Sequence, residues 1–410
     1  MNKAIDKGSS KSILGGSMII AGTSVGVGIF TLPVASKELW FFPSCFLFIL
    51  IAYVMYSSGL YFCEVAARMK NPATSIPNMA DCVLGKRGYF AANAAVIFIC
   101  YILIYAYISA GSSILGEVTK SFSDFYIFSD GMNSLLFSLI FSSIVFAGSK
   151  AVDKSSVVIL FAMIATFVIG ISGFIPDLNI NNLMQPPAGG YFSFFYAIPF
   201  FVVSFGYHTA IPSLLKHYDL NFTKVTRSLF YGVILTLFFY ISWIAVSFGF
   251  LSYNDLPSLE ASGSNAQDVL NLLFSGGGYQ AISMFGYFAV ISSFLGIGLG
   301  LFDFVIDSLK LEAKKFGNIY AALIAFTPST LLSITYPNGF VSAIGFSAIF
   351  ASFLLLLLPS LMCLKLRSTT ADYKTDGKFF VTGGYPRLLL VLLIGLCSIF
   401  FEMYKVFKTI

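Results

Sequence analysis

Long apolar runs separated by short polar segments recur along the whole chain. Eleven such runs carry almost no charged side chains: residues 13–34, 39–63, 88–116, 131–149, 155–176, 191–215, 228–253, 278–302, 316–336, 339–364 and 388–406. An α-helix needs about 20 mostly apolar residues to cross the ~30 Å hydrocarbon core of a bilayer. The pattern therefore predicts an all-α membrane protein with eleven transmembrane helices.

The composition supports this interpretation and excludes a water-soluble protein. Hydrophobic residues make up 57% of the 410 and charged residues 10%, whereas a soluble globular chain carries about 25% charged residues. The six cysteines are scattered, most of them within apolar runs, which indicates neither a disulfide framework nor a metal site. We expect no cofactor and no nucleic-acid partner; the expected partners are a lipid bilayer, a small-molecule substrate and protons.

The basic residues indicate how the chain is oriented. If the N-terminus is placed in the cytoplasm, 20 of the 24 lysine and arginine residues fall in segments on the inner side, as the positive-inside rule requires. We therefore expect a protein of the bacterial cytoplasmic (inner) membrane with its N-terminus in the cytoplasm and its C-terminus outside. Glu64 is expected at the inner membrane interface.

Two of the predicted helices contain sequences that disfavour a continuous helix. The first run holds three glycines and two hydroxyl residues between Gly22 and Gly28, and the sixth holds Pro199 and Pro212 on either side of residues 204–209. Each glycine costs about 1 kcal/mol of helix propensity relative to alanine, and each proline removes a backbone hydrogen bond. Exposed backbone is tolerated inside a membrane only where it lines a protein cavity.

The spacing of the two interruptions predicts an internal repeat. The first and sixth runs each begin a set of five, and an offset of five makes the two sets cross the membrane in opposite directions. Interrupted helices at corresponding positions of inverted halves indicate the binding site of a secondary transporter. The predicted division is residues 1–12 (cytoplasmic segment), 13–176 (first five-helix repeat), 177–364 (second, inverted repeat) and 365–410 (cytoplasmic loop and eleventh helix).

Such a site suits a small amino acid. Freed N–H groups at the start of a half-helix can hold a carboxylate, and freed carbonyl groups can hold an ammonium group. The alternative is that the glycines only allow helices to pack closely, as small residues spaced by four often do in membranes. Interruptions in register in two runs favour the binding site.

Five short motifs follow one another along the chain: residues 16–30 with 32–33, residues 204–208 with 211–214, residues 293–296 with 300–303, residues 336–340 and residues 383–386. Taken in this order, they resemble motifs of the hydroxy/aromatic amino acid permeases. The resemblance covers about residues 13–406 and is closest to the tyrosine permeases. It implies the LeuT-type fold, with two inverted five-helix repeats plus one extra helix, and proton symport of an aromatic amino acid, tyrosine first, by alternating access. The chain departs from the family pattern at Val27 and at Thr209, where alanine and glycine are common.

The interruptions and the motifs together define the candidate binding residues. Those predicted to contact the substrate are Ala21, Gly22, Thr23, Ser24, Gly26, Tyr107, Ser204, Phe205, Gly206, Tyr207 and Phe294. Aromatic side chains at these positions would suit an aromatic ligand, because ring pairs add about 0.5–1.5 kcal/mol beyond area burial. For any single aromatic residue, packing or lipid contact is the competing interpretation.

Two ionisable residues are candidates for proton coupling. His208 is the one histidine inside an apolar run, and an ionisable group within the membrane is a functional hypothesis by default. Its ordinary pKa, near 6.5, suits proton binding. The alternative is a neutral histidine that caps the broken helix. Asp303 and Asp307 share one helical face, where they could relay protons, form an inner gate or simply be solvated.

Other functions remain open at this level. A permease of the same fold could prefer tryptophan, phenylalanine or another neutral amino acid. Sodium could replace the proton, with hydroxyl ligands from Thr23, Ser292 and Ser293. A channel would need a selectivity filter or a ring of charge, which the sequence does not indicate.

Residues 22–26 fit the Gly-x-Ser-x-Gly pattern of serine hydrolases, with Ser24 and His208 as imaginable partners, but that motif needs a preceding strand. We therefore expect a protein that is not an enzyme.

Overall fold

A computed structural model describes residues 12–26, 28–122, 129–190, 192–251, 279–311, 314–369 and 378–409. These ranges contain sixteen α-helices and no strand. The helices are α1 (Ile13–Ser24), α2 (Gly28–Ser36), α3 (Phe41–Ala66), α4 (Ile76–Leu84), α5 (Lys86–Phe122), α6 (Asp130–Phe146), α7 (Ser149–Phe174), α8 (Ile180–Leu183), α9 (Ser193–Ser204), α10 (Ile211–His217), α11 (Phe222–Phe250), α12 (Tyr279–Leu309), α13 (Gly317–Thr335), α14 (Phe340–Ser352), α15 (Leu358–Thr369) and α16 (Gly384–Thr409).

The predicted helical membrane architecture is confirmed, and the number of spans is bounded. Nine helical segments of the described chain are long and apolar enough to cross a membrane, and the bent pair α1–α2 would make a tenth. α6 is apolar but has only 17 residues. The eleven-helix count and the LeuT-type arrangement therefore stay predictions.

Both predicted interruptions are present in the backbone. The first run is divided into α1 and α2, whose axes differ in direction by 60°. The sixth run is divided into α9 and α10, with a 3₁₀ turn at His208–Ala210 before α10. Glycines account for the first break and prolines flank the second, as the propensities predict.

The helices pack in two groups that face each other across the interruptions. One group contains α1, α2, α3, α9 and α11, and the other contains α5, α6, α7, α12 and α13. α14 contacts both, since it packs on α5 and on α9. The two interrupted runs therefore lie in one group, with their breaks turned towards the other.

Glu64 is buried within the protein, and its predicted place at the inner membrane interface stays a prediction. It lies near the end of α3 with no exposed surface and forms a two-pronged ion pair with Arg367 of α15, at 2.8 and 2.7 Å. The N–H of Val381 also donates to its carboxylate, at 2.8 Å. Such planar pairs are among the strong charge-assisted hydrogen bonds. This pair joins α3, α15 and the segment before α16, and removal of one buried partner typically costs about 3–5 kcal/mol.

Candidate functional site

A cavity of about 540 Å³ lies where the two interruptions face the second group of helices. Its walls come from α1, α5, α7, the turn between α9 and α10, α12 and α14. Pockets for small molecules span about 300–1,000 Å³. Seven predicted substrate-binding residues line it, namely Gly22, Thr23, Ser24, Gly26, Tyr107, Ser204 and Gly206, and so does His208. The structure thus brings together residues from three runs that are distant in sequence.

Two backbone hydrogen bonds mark the end of α1 at the first interruption. The N–H of Val25 donates to the carbonyl of Ala21 at 2.7 Å, and the N–H of Gly26 donates to the carbonyl of Ser24 at 2.8 Å. The second of these bonds closes a tighter loop than a helical turn, so the chain leaves the helix here. The N–H of Gly26 is consequently not given to the carbonyl of Gly22, its usual helical acceptor.

Glycine is required at two positions of this interruption because other helices approach closely. A Cβ atom on Gly26 would lie 2.5 Å from Oγ of Ser293 on α12. A Cβ atom on Gly28 would lie 2.8 Å from Oγ and 3.2 Å from Cα of Ser204, at the end of α9. The first interruption is therefore in contact with the second, and with α12 across the cavity.

The second interruption ends α9 at Ser204. The N–H of Gly206 turns back to the carbonyl of Val203 at 3.0 Å, and the chain then enters the 3₁₀ turn. Pro212 occupies the first turn of α10, where its missing N–H costs nothing. Ser204 Oγ donates to the carbonyl of Phe200 at 2.8 Å, within its own helix.

His208 is held by aromatic rings. Its side chain is 1% exposed, stacks on Tyr207 with ring centres 4.5 Å apart and meets the edge of Phe62 at 5.5 Å. Within the described residues, neither ring nitrogen has a hydrogen-bond partner. A histidine that caps a broken helix would form hydrogen bonds through its ring, and none is found among the described residues. A role of His208 in proton coupling stays a prediction.

Four predicted contact residues lie outside the cavity wall. Ala21 is buried in α1. The ring of Phe205 packs edge-on against Tyr240 at 5.0 Å, and the hydroxyl of Tyr207 donates to the carbonyl of Met55 at 2.9 Å. Phe294 packs against Phe326 and other rings of the second group. These three aromatic side chains pack behind the cavity wall. Their positions therefore favour support of the wall over direct contact with a ligand.

Asp303 is also separated from the cavity. It lies on α12, as do Ser292 and Ser293, which line the cavity together with Thr23. Asp303 itself is exposed and absent from the wall. The carboxylate pair predicted on one helical face therefore lies towards one end of α12, and its coupling role stays a prediction.

The hydrolase alternative finds no support in the geometry. Ser24 is the last residue of a helix, whereas the Gly-x-Ser-x-Gly elbow follows a strand. Its hydroxyl donates to the carbonyl of Ile20 at 3.0 Å, one turn earlier in the same helix. No described residue, Ser24 included, forms a hydrogen bond with a ring nitrogen of His208.

The described wall of the cavity contains hydroxyl, backbone and apolar groups and the imidazole of His208, but no aspartate, glutamate, lysine or arginine. Apolar side chains such as Ile99, Leu103 and Ile344 form part of it, and serine and threonine hydroxyls form another part. The helix ends contribute partial charges, negative at the ends of α1 and α9 and positive at the start of α2. This arrangement can bind a molecule whose charges cancel and that also has an apolar part.

A third irregularity was missed from the sequence. One turn of π-helix at Phe353–Leu357 joins α14 to α15, and Leu354 and Leu355 of this turn line the cavity. Pro359 has no N–H for the carbonyl of Leu355 four residues earlier, and the hydroxyl of Ser58 on α3 donates to it instead. Pro359 could have indicated this irregular turn, but it lies within a long apolar run that otherwise predicts a continuous helix. Single π turns are frequent at functional sites.

Comparisons with known proteins match this chain over almost its whole length. Residues 9–402 match the tryptophan/tyrosine permease family. The chain is 35% identical to a tryptophan-specific transport protein of Pseudomonas aeruginosa, with 94% of this chain and 93% of the relative covered. It is 32% identical to a tryptophan-specific transport protein of Haemophilus influenzae (95% and 95%) and 31% identical to tyrosine-specific transport system 1 of the same species (93% and 94%). These relatives are transport proteins, not enzymes.

Proposed function

We propose, since this chain belongs to the tryptophan/tyrosine permease family, that it imports an aromatic amino acid by proton symport with alternating access. Tryptophan is the first candidate substrate, because two of the relatives above are named for it and have slightly higher identity. Tyrosine, expected from the motifs, is the second, supported by a relative named for tyrosine. The identities differ too little to separate the two.

The observation that carries the proposal is the wall between two broken helices, whose described part holds no aspartate, glutamate, lysine or arginine. A zwitterionic amino acid has one positive and one negative group, and backbone dipoles at helix ends can meet both. A dicarboxylate or a polyamine would bring net charge into a low-dielectric site without a charged partner among the described residues, which is costly. The wall therefore favours a neutral amino acid.

The helix ends suggest how the substrate is oriented. We place its carboxylate near the N–H groups that begin α2, at Gly28, and its ammonium group near the carbonyl end of α1. The aromatic side chain would then extend towards Ile99, Leu103 and Tyr107 on α5, which line the cavity. Apolar burial there contributes about 25 cal/mol per Å².

Proton coupling is supported by the family resemblance and by the location of His208 in the wall. Because described residues leave its ring nitrogens without hydrogen-bond partners, a proton would find an open acceptor there. The inverted repeats 13–176 and 177–364, and an N-terminus in the cytoplasm, belong to the same proposal. They are supported by the matching positions of the two interruptions and by the distribution of basic residues.

One proteoliposome experiment tests the proposal. Uptake of radiolabelled tryptophan is measured with and without an inward proton gradient, at several concentrations of unlabelled tryptophan, tyrosine, phenylalanine and leucine, and repeated with labelled tyrosine. We expect the gradient to drive accumulation, and tryptophan and tyrosine to compete at lower concentrations than leucine. Accumulation that follows a sodium gradient instead would replace the proton by sodium. Absence of uptake of both labelled amino acids would contradict the proposed function.

A further inference from the structure

The hydroxyl of one buried tyrosine reaches both interruptions. Tyr240 lies on α11 and has no exposed surface. Its hydroxyl oxygen is 2.8 Å from the carbonyl oxygen of Ser24 and 2.5 Å from that of Ser204. Ser24 is the last residue of α1, and Ser204 is the last residue of α9. The carbonyl ends of the two broken helices therefore converge on one donor.

Both carbonyl groups lie at helix ends, and that of Ser24 also accepts the N–H of Gly26 at 2.8 Å. The last carbonyls of a helix have no intrahelical N–H partner, and both helix ends carry partial negative charge. Two such ends side by side repel each other in a low-dielectric interior unless a positive or hydrogen-bonding group lies between them. A tyrosine hydroxyl has a single proton, so Tyr240 satisfies the two carbonyls by sharing it or by alternating between them.

The position of this hydroxyl is fixed by the packing of its ring. The ring meets Phe205 edge-on at 5.0 Å and lies 5.9 Å from Phe48, which itself stacks on Phe201 at 4.1 Å. All of these rings are buried. Phe205, predicted as a substrate contact, thus acts on the site through Tyr240.

We propose that Tyr240 is a positioning residue that holds the two interruptions together and thereby sets the affinity of the cavity for its substrate. Tyr240 is absent from the cavity wall, whereas Ser24 and Ser204 belong to it, so its effect on the substrate passes through them. This inference rests on the proposed function, because it assigns the cavity between the interruptions to the substrate.

The test is the substitution Tyr240→Phe, which keeps the ring and removes the hydroxyl. Tyr105→Phe is the matched control: Tyr105 is also buried and donates to one backbone carbonyl, that of Tyr336 at 2.7 Å, but lies outside the cavity wall. KM for tryptophan and tyrosine uptake, the maximal rate and the melting temperature of the purified protein are measured for both variants. KM does not depend on the amount of folded protein, so a variant that inserts poorly is still measured.

We expect KM for tryptophan and tyrosine to rise about tenfold in Y240F, the factor that ~1.4 kcal/mol produces, and to be unchanged in Y105F. The melting temperatures should fall by similar amounts, since each variant loses a buried hydrogen bond. An unchanged KM in Y240F, beside active wild type, would overturn this inference alone. If the Y240F protein could not be produced in the membrane while the Y105F protein could, Tyr240 would be assigned to folding. That result would also overturn this inference. Absence of wild-type uptake would overturn the proposed function and this inference with it.

Discussion

The two interruptions occupy corresponding places in the chain but are built differently. The first is made of glycines, bends the run by 60° and presses its backbone against Ser204 and Ser293. The second is flanked by prolines, contains a 3₁₀ turn and carries the ionisable side chain His208. Its glycine, Gly206, meets mainly its own backbone, since an added Cβ would lie 2.9 Å from the carbonyl oxygen of Val203.

This difference indicates that functions are divided between the two interruptions. The first interruption brings backbone groups close to two other helices, which only residues without a Cβ atom permit. The second brings a side chain that can change its charge into the same cavity. If this division holds, substitutions in the first interruption should change binding and overall rate, and substitutions in the second should change coupling and substrate choice.

The largest effect is expected from Gly28→Ala in the first interruption. The new Cβ would lie 3.2 Å from Cα of Ser204, and backbone cannot move away as a flexible side chain can. Overpacking of this kind costs about 1–3 kcal/mol, so the uptake rate at low substrate concentration should fall at least about fivefold. Gly15→Ala is the control, because a Cβ on Gly15 of α1 meets no heavy atom within 4 Å. Equal uptake by the two variants would refute the role given to close approach.

The second effect concerns coupling, through His208→Gln. A gradient of about one pH unit can concentrate a proton-coupled substrate about tenfold, since each factor of ten is worth ~1.4 kcal/mol. We expect this accumulation to disappear in H208Q, while exchange of internal for external substrate continues. His217→Gln, which alters the exposed histidine of α10, should accumulate substrate normally. Undiminished accumulation by H208Q in energised vesicles would remove His208 as the coupling group.

A smaller effect should show the contact between the first interruption and α12. In Gly26→Ala the new Cβ would lie 2.5 Å from Oγ of Ser293, but Cβ of Ser293 is 3.7 Å away. Loss of that hydroxyl in the double variant G26A/S293A makes room, so uptake should recover by about fivefold relative to G26A, within the usual range of coupling between contacting residues. Additive losses in the double variant would show that the hydroxyl is not the obstacle.

The smallest effect is expected from Thr209→Gly in the second interruption. Thr209 is exposed and lines the cavity, and the resemblance of residues 204–208 to the permease motif implies glycine at this position. Exposed substitutions usually change free energies by about 0.5 kcal/mol or less, so the ratio of the KM values for tryptophan and tyrosine should shift about twofold. Competition assays with both labelled substrates measure this ratio, and a shift confined to the maximal rate would speak against a place near the substrate.

The membrane helices and their interruptions could be predicted from the sequence because their causes are local. An apolar run of sufficient length needs no distant partner to favour a helix in lipid, and glycine or proline weakens the helix in which it stands. For the same reason Gly22, Gly26 and Ser204 could be assigned to the cavity. They lie at the breaks themselves, so the rotation of a helix about its axis does not decide where they face.

Only the tertiary structure decided which other side chains face the cavity and which support it. Tyr107 lines the cavity while Phe205, Tyr207 and Phe294 pack behind it, because the rotation of each helix about its axis decides where its aromatic residues point.

Contacts between residues distant in sequence were also decided only by the tertiary structure. Arg367 pairs with Glu64 across 303 residues, and Tyr240 reaches the carbonyl of Ser24 across 216. Within single helices these residues look like an interfacial charge and an ordinary membrane tyrosine. Their hydrogen bonds exist only because packing brings several helices to one point, and no local pattern of residues encodes that meeting.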